Sequence, residues 1–131
     1  MHPCDELEDI VLLHYGKFDA GEQAISIENL YSLMDGVVII DNDPNEWFDD
    51  HDSLLAWIKA GGSVTAETTV DNLKAYSEGT EGWTMDRIMV KFLNGIETPV
   101  RHTRIFHKED GVWKMVHLYV SNLVPNKKIG E

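Results

Sequence analysis

Residues 100–121, VRHTRIFHKEDGVWKMVHLYVS, limit the fold more than any other stretch of the chain. Apolar residues alternate on both sides of Asp110-Gly111. An Asp-Gly pair in that setting signals a tight hairpin, because glycine takes positive φ at little steric cost. Two long antiparallel strands follow. Their polar load is unusual: Arg101, His102, Arg104, His107, His117 and Tyr119 stand among Val, Ile, Leu, Phe and Met. A sheet with one solvated face alternates cleanly. Here one face reads as apolar and the other as mixed, like the wall of a polar-lined pocket.

The rest of the chain supplies what that hairpin packs against. Asp5–Asp19 sets Leu7, Ile10, Val11, His14 or Tyr15, and Phe18 on one helical stripe, with acidic residues in the first turns. A second helix over residues 22–34 presents Ile27, Leu30, Tyr31 and Met34. Residues 37–41, VVIID, read as a short buried strand, and residues 42–52 as a polar loop carrying Trp47-Phe48. Asp52 or Ser53 caps a third helix, LLAWIKA, which Gly61-Gly62 stops. From Ser63 the period changes to two. Strands are expected over 64–76, 83–93, 96–107 and 112–122, with Asn94-Gly95 as another hairpin turn and a loose tail from Pro125. Helices grouped before a run of strands argue for an α+β fold. N-terminal helices would pack on a curved, mainly antiparallel sheet forming a cone with an internal pocket. At 131 residues the chain reads as a single domain over 1–131.

The net charge of −12 makes nucleic acid and anionic membrane surfaces poor partners. No apolar run approaches the ~18 residues of a membrane span, and the acidic N-terminus lacks the basic start of a secretory signal. Cys4, the one cysteine, has no partner for a disulfide, which fits a cytoplasmic protein. Asp41-Asn42-Asp43-Pro44-Asn45 imitates the start of a calcium loop, but Glu46 stands where glycine is needed and a strand precedes it. The histidines lack zinc spacing. No metal and no cofactor is expected.

Face assignments bring chemistry into view. In residues 83–93 the even positions, Thr84, Asp86, Ile88, Val90 and Phe92, form the more apolar face, so Asp86 should point inward. A carboxylate there is either a general base or the ion-pair partner of Arg104. Arg104 offers five donors in a fork, suited to a carboxylate or an enolate oxygen. With two residues in the Asp110-Gly111 turn, Arg104 lies opposite His117 and His102 opposite Tyr119. A three-residue turn with a bulge would shift the pairing by one. The first register is preferred because it gathers all four on one wall. His117 is then a candidate acid or base, Tyr119 an oxyanion donor and His102 a ligand contact. Ile105, Val116, Leu118 and Val120 would form an outer apolar patch, which predicts a homodimer through that face. Tyr15, Trp47, Phe48 and Trp57 are candidates to line the pocket for a small, mostly apolar ligand, although most such aromatics are simply core.

These residues also carry a family resemblance over about the whole chain. Phe18-Asp19-Ala20-Gly21, Asp35-Gly36-Val37-Val38-Ile39-Ile40, Asp43-Pro44-Asn45-Glu46-Trp47-Phe48 and above all residues 103–117 resemble the nuclear transport factor 2-like superfamily, with its cone-shaped, cystatin-like fold. The closing hairpin and Val124-Pro125-Asn126 are similar to polyketide-cyclase-like members, and the hairpin also resembles the association domain of calcium/calmodulin-dependent protein kinase. The resemblance implies a pocket into which Arg104 points. It also implies an Asp base in an apolar site, as in ketosteroid isomerase. The expected function is a small-molecule pocket protein, with isomerase, cyclase or dehydratase-type acid–base chemistry on a carbonyl or carboxylate compound. The alternative is a non-catalytic dimeric binding or assembly domain.

Overall fold

Leu7, Val11 and Tyr15 recur at helical spacing and are buried to 6% exposure or less, so they fix how the first helix, α1 (Asp5–Asp19), lies on the sheet. Leu7 and Val11 each contribute roughly 1.5–3 kcal/mol through this burial. The computed structural model describes residues 1–32, 36–40, 47–61 and 66–122. Around α1 run β1 (His2–Pro3), α2 (Gln23–Leu30), β2 (Val38–Ile40), β3 (Trp47–Phe48), α3 (His51–Gly61), β4 (Ala66–Glu78), β5 (Glu81–Phe92), β6 (Glu97–Glu109) and β7 (Val112–Asn122). The strands form one sheet in the order β1-β4-β5-β6-β7-β2-β3, antiparallel throughout except where β2 runs parallel to β7. This is the expected α+β arrangement of helices on a curved, mostly antiparallel sheet.

Local departures have physical reasons. The second helix ends at Leu30 rather than continuing through 34, because Tyr31 bridges to Met115 and the Ser32 amide donates to the Met115 carbonyl at 3.0 Å. Trp47 and Phe48, read as loop, pair with Ile40 and Ile39 as a short edge strand. The third helix is capped by Asp50, whose carboxylate accepts from the Ser53 amide and hydroxyl at 2.7 and 2.6 Å, rather than by Asp52 or Ser53. Met34, the Asp41–Glu46 stretch of the calcium-like loop and the tail from Pro125 lie outside the described residues.

The closing hairpin decides the faces. Its turn has two residues, with φ of 52° at Asp110 and 78° at Gly111. That matches the expected turn. The expected register nevertheless fails. Phe106 pairs with Met115 but Ile105 pairs with His117, so Val116 is an extra residue on β7. Beyond this bulge Arg104 faces Leu118 and His102 faces Val120, while Tyr119 pairs with Thr103. Because the side-chain period is two, one inserted residue moves His117 and Tyr119 off the wall that holds His102 and Arg104. It also turns Val120 inward to 8% exposure and packs Leu118 against the core. The outer apolar patch is therefore not Val116, Leu118 and Val120. Met85, Met89, Ile105 and Tyr119 are the exposed apolar residues there, at 37–50% exposure. A second extra residue, Asp71 on β4, adds to the sheet's curvature.

At the other end of the same strands α1 comes very close to β5. A Cβ built on Gly82 would sit 2.5 Å from Leu7 Cδ1 and 3.0 Å from the Tyr76 carbonyl. Leu7 has no free surface to move into. Gly82→Ala should therefore lose about 1–3 kcal/mol of stability, the usual range for overpacking, read as a shift in the urea midpoint. An unchanged midpoint would mean that α1 slides without cost.

Candidate functional site

The polar residues that the fold brings together are Asp86 on β5, His102 and Arg104 on β6, and Tyr15 on α1. Asp86 and His102 are direct cross-strand partners, as are Thr84 and Arg104. Alternation puts all four strand residues on the helix-covered face, and the α1 stripe delivers Tyr15 onto them. Asp86 is 3% exposed and Arg104 1%.

The bonding within this cluster is dense. Arg104 Nη1 donates to Asp86 Oδ2 at 2.6 Å, and the Tyr15 hydroxyl donates to the same oxygen at 2.7 Å. Arg104 Nη2 donates to the Tyr15 hydroxyl oxygen at 3.2 Å, and its guanidinium carbon lies 5.3 Å from the Tyr15 ring centre. His102 Nδ1 is 2.9 Å from Asp86 Oδ1 and 3.0 Å from the Tyr15 oxygen. An ionised Asp86 can only accept, so Nδ1 carries the proton, and the carboxylate orients the imidazole.

The electrostatics follow from these contacts. Burial alone would raise the Asp86 carboxyl, but the His102 hydrogen bond and the Arg104 charge outweigh it and hold the group below the usual carboxylate range. Arg104 is pushed down by burial and more than restored by Tyr15 and Asp86. Burial raises the Tyr15 phenol, which therefore stays protonated. His14, next to Tyr15 on α1, bonds Ser26 Oγ at 2.6 Å. Burial pushes its imidazole down to about 3, and the charges of Arg104 and His102 act in the same direction. The alternation pattern signals Tyr15 only as part of an apolar stripe, and nothing in the sequence singles out His14.

Two buried donors near this cluster have no hydrogen-bond partner among the described residues: Arg104 Nε and the Thr84 hydroxyl. They belong to side chains that face each other across β5 and β6. Of the two readings of Asp86, the geometry shows the ion pair with Arg104, at 2.6 Å with both side chains buried. A carboxylate held by three donors is a weak base.

The remaining candidates lie elsewhere. His117 Nδ1 donates to the Val38 carbonyl at 2.7 Å and so ties β7 to β2. Tyr119 is 50% exposed on the outer face. Neither shares the wall with Arg104, for the reason the Val116 bulge gives. Phe48 and Trp57 make a contact of their own, with ring centres 5.1 Å apart, and Trp47 is 62% exposed. Among the described residues no helix is long and apolar enough to cross a membrane.

The same architecture recurs in solved structures. An NTF2-like protein of unknown function from Pseudomonas putida KT2440 superposes with a TM-score of 0.81 at 12% identity, over 95% of this chain and 89% of that one. A protein with a cystatin-like fold from Caulobacter vibrioides gives 0.74 at 9% identity, over 97% and 94%. The association domain of CaMKII from C. elegans gives 0.71 at 13% identity, over 89% and 93%. At these identities the likeness is one of fold. Among curated proteins, none matches the sequence. The family signal comes from residues 19–125, which match the SnoaL-like domain, and on that match the chain belongs to the SnoaL-like family of the NTF2-like superfamily.

Proposed function

We propose that this protein binds a small, mostly apolar carbonyl or carboxylate compound on the helix-covered face of the sheet. There it would carry out isomerase, cyclase or dehydratase-type proton transfer. The observation that carries this reading is the buried Tyr15–Asp86–His102–Arg104 cluster beside two donors, Arg104 Nε and the Thr84 hydroxyl, that have no partner among the described residues. Buried donors are almost always satisfied, so these two call for an acceptor such as a ligand oxygen or a water. His102, oriented by Asp86, takes the proton-carrying role expected of Asp86 or His117. Arg104 and the neutral Tyr15 phenol, in place of Tyr119, stabilise the developing oxyanion.

A thermal-shift screen of apolar ketones and carboxylic acids tests this. Hits on the wild type should lose their shift in Tyr15→Phe and His102→Gln. If every hit stabilises these variants as well as the wild type, the cluster is not the binding site.

A second reading has its own support. Both Asp86 oxygens are already occupied, as they would be in a purely structural cluster, and the fold is shared with an association domain. In that reading the chain is a dimeric binding or assembly module. Either way we infer a homodimer through the outer sheet face, because Met85, Met89, Ile105 and Tyr119 are exposed there. Sedimentation at micromolar concentration should give a dimer, and Ile105→Lys should give a monomer. A wild-type monomer would refute it.

A further inference from the structure

The outer face carries a second polar arrangement that the proton-transfer reading does not use. Cross-strand register lines up Asn72, Arg87, Arg101 and Ser121 in one row across β4, β5, β6 and β7. The next row is Met85, Thr103 and Tyr119. Between them opens a cavity of about 300 Å³, lined by these residues and also bordered by Asp86 and His102 of the inner cluster.

Two features are out of place for a merely solvated surface. First, Arg87 and Arg101 are direct cross-strand partners, and like charges in that position are destabilising. Second, the chain has only three arginines against a net charge of −12, yet two of them stand here side by side. Their own partners leave much of the charge unmet. Asp71 takes Arg87 Nε at 2.5 Å. Arg101 Nη2 donates to the Ser121 hydroxyl at 3.0 Å, and among the described residues no carboxylate pairs with it.

We propose that this groove is a binding site for a small organic anion, a carboxylate or phosphate monoester with a short apolar body. The two guanidinium forks take the anionic oxygens, as their planar donor geometry favours. The hydroxyls of Ser121, Thr103 and Tyr119 complete the polar lining, and Met85 with the Tyr119 ring covers the apolar body. The two arginines lie outside the buried cluster, although Asp86 and His102 of that cluster also border the cavity. In a dimer through this face, the arginines of both copies enter one interface, and a bound anion removes the repulsion between them.

The test is a titration of the full chain with inorganic phosphate and, separately, with benzoate. Total ionic strength is held constant with sodium chloride, and amide chemical shifts are followed. The expected result is a saturable response at Arg101, Thr103, Tyr119 and Ser121 for at least one of the two anions. Arg101→Gln, an exposed and fold-neutral change, should weaken it at least tenfold. Saturation by phosphate alone assigns the site to phosphoryl groups, and by benzoate to carboxylates with an apolar body. A response no larger than that of chloride, or equal affinity in Arg101→Gln, overturns the proposal. Sedimentation of the same samples keeps it separate from the dimer reading, since saturable binding by a monomer supports this site alone.

Discussion

Replacing Asp86 with alanine should lower the unfolding free energy by about 3–5 kcal/mol, because it leaves a buried guanidinium without its counter-charge. Arg104 is 1% exposed and cannot rotate out to water without carrying β6 with it. The same substitution removes an acceptor of the Tyr15 hydroxyl and of His102 Nδ1, so three donors lose their bond to the carboxylate at once. The loss is a property of the broken pair rather than of the pair itself. Asp86→Leu combined with Arg104→Met should therefore recover most of the stability lost by Asp86→Leu alone. A double-mutant cycle in urea measures this as a strong coupling. If Asp86→Ala costs less than about 1 kcal/mol, the far smaller loss typical of an exposed pair, water reaches the site and the cluster is not sealed.

The cluster also shows how far the chain could be read in advance. The even positions of β5 alternate as written, and they place Asp86 inward beside Arg104 with no further information. The two hairpin turns and the α1 stripe were legible for the same reason: each depends on residues adjacent in sequence or spaced by one helical turn. The Val116 bulge was not legible. Its flanking residues have no composition that distinguishes them from a regular strand, and the extra residue is specified by packing on both sides of β7. Val120 and Leu118 point inward after it because the core there is apolar, and His117 is taken up by the Val38 carbonyl of a strand far away in sequence. Trp47 and Phe48 are not recognisable as a strand in the sequence, because two residues carry no period. Periodicity puts Tyr15 on its helix, but its hydroxyl only acquires a role once α1 is laid over Asp86 and Arg104.

Acidification gives the second large effect, and its sign can be worked out from His14. The unfolded imidazole takes a proton near 6.5, whereas in the folded protein burial and the nearby charges of Arg104 and His102 hold it down to about 3. The unfolded state therefore binds more protons between these values, and stability falls as pH falls through that window. From pH 7 to pH 5 this one group should cost about 2 kcal/mol. Asp86 acts in a different window. Its folded carboxyl lies below the ordinary value of 3.8, so its contribution is intact at pH 5 and is lost only on further acidification. The difference in stability between wild type and His14→Gln, measured by urea unfolding at the two pH values, isolates the histidine from the other titrating groups. It should shrink by about 2 kcal/mol on going to pH 5, because the neutral glutamine has no proton to gain. Parallel curves for the two proteins would mean that His14 is protonated in place, with its ring turned away from Ser26.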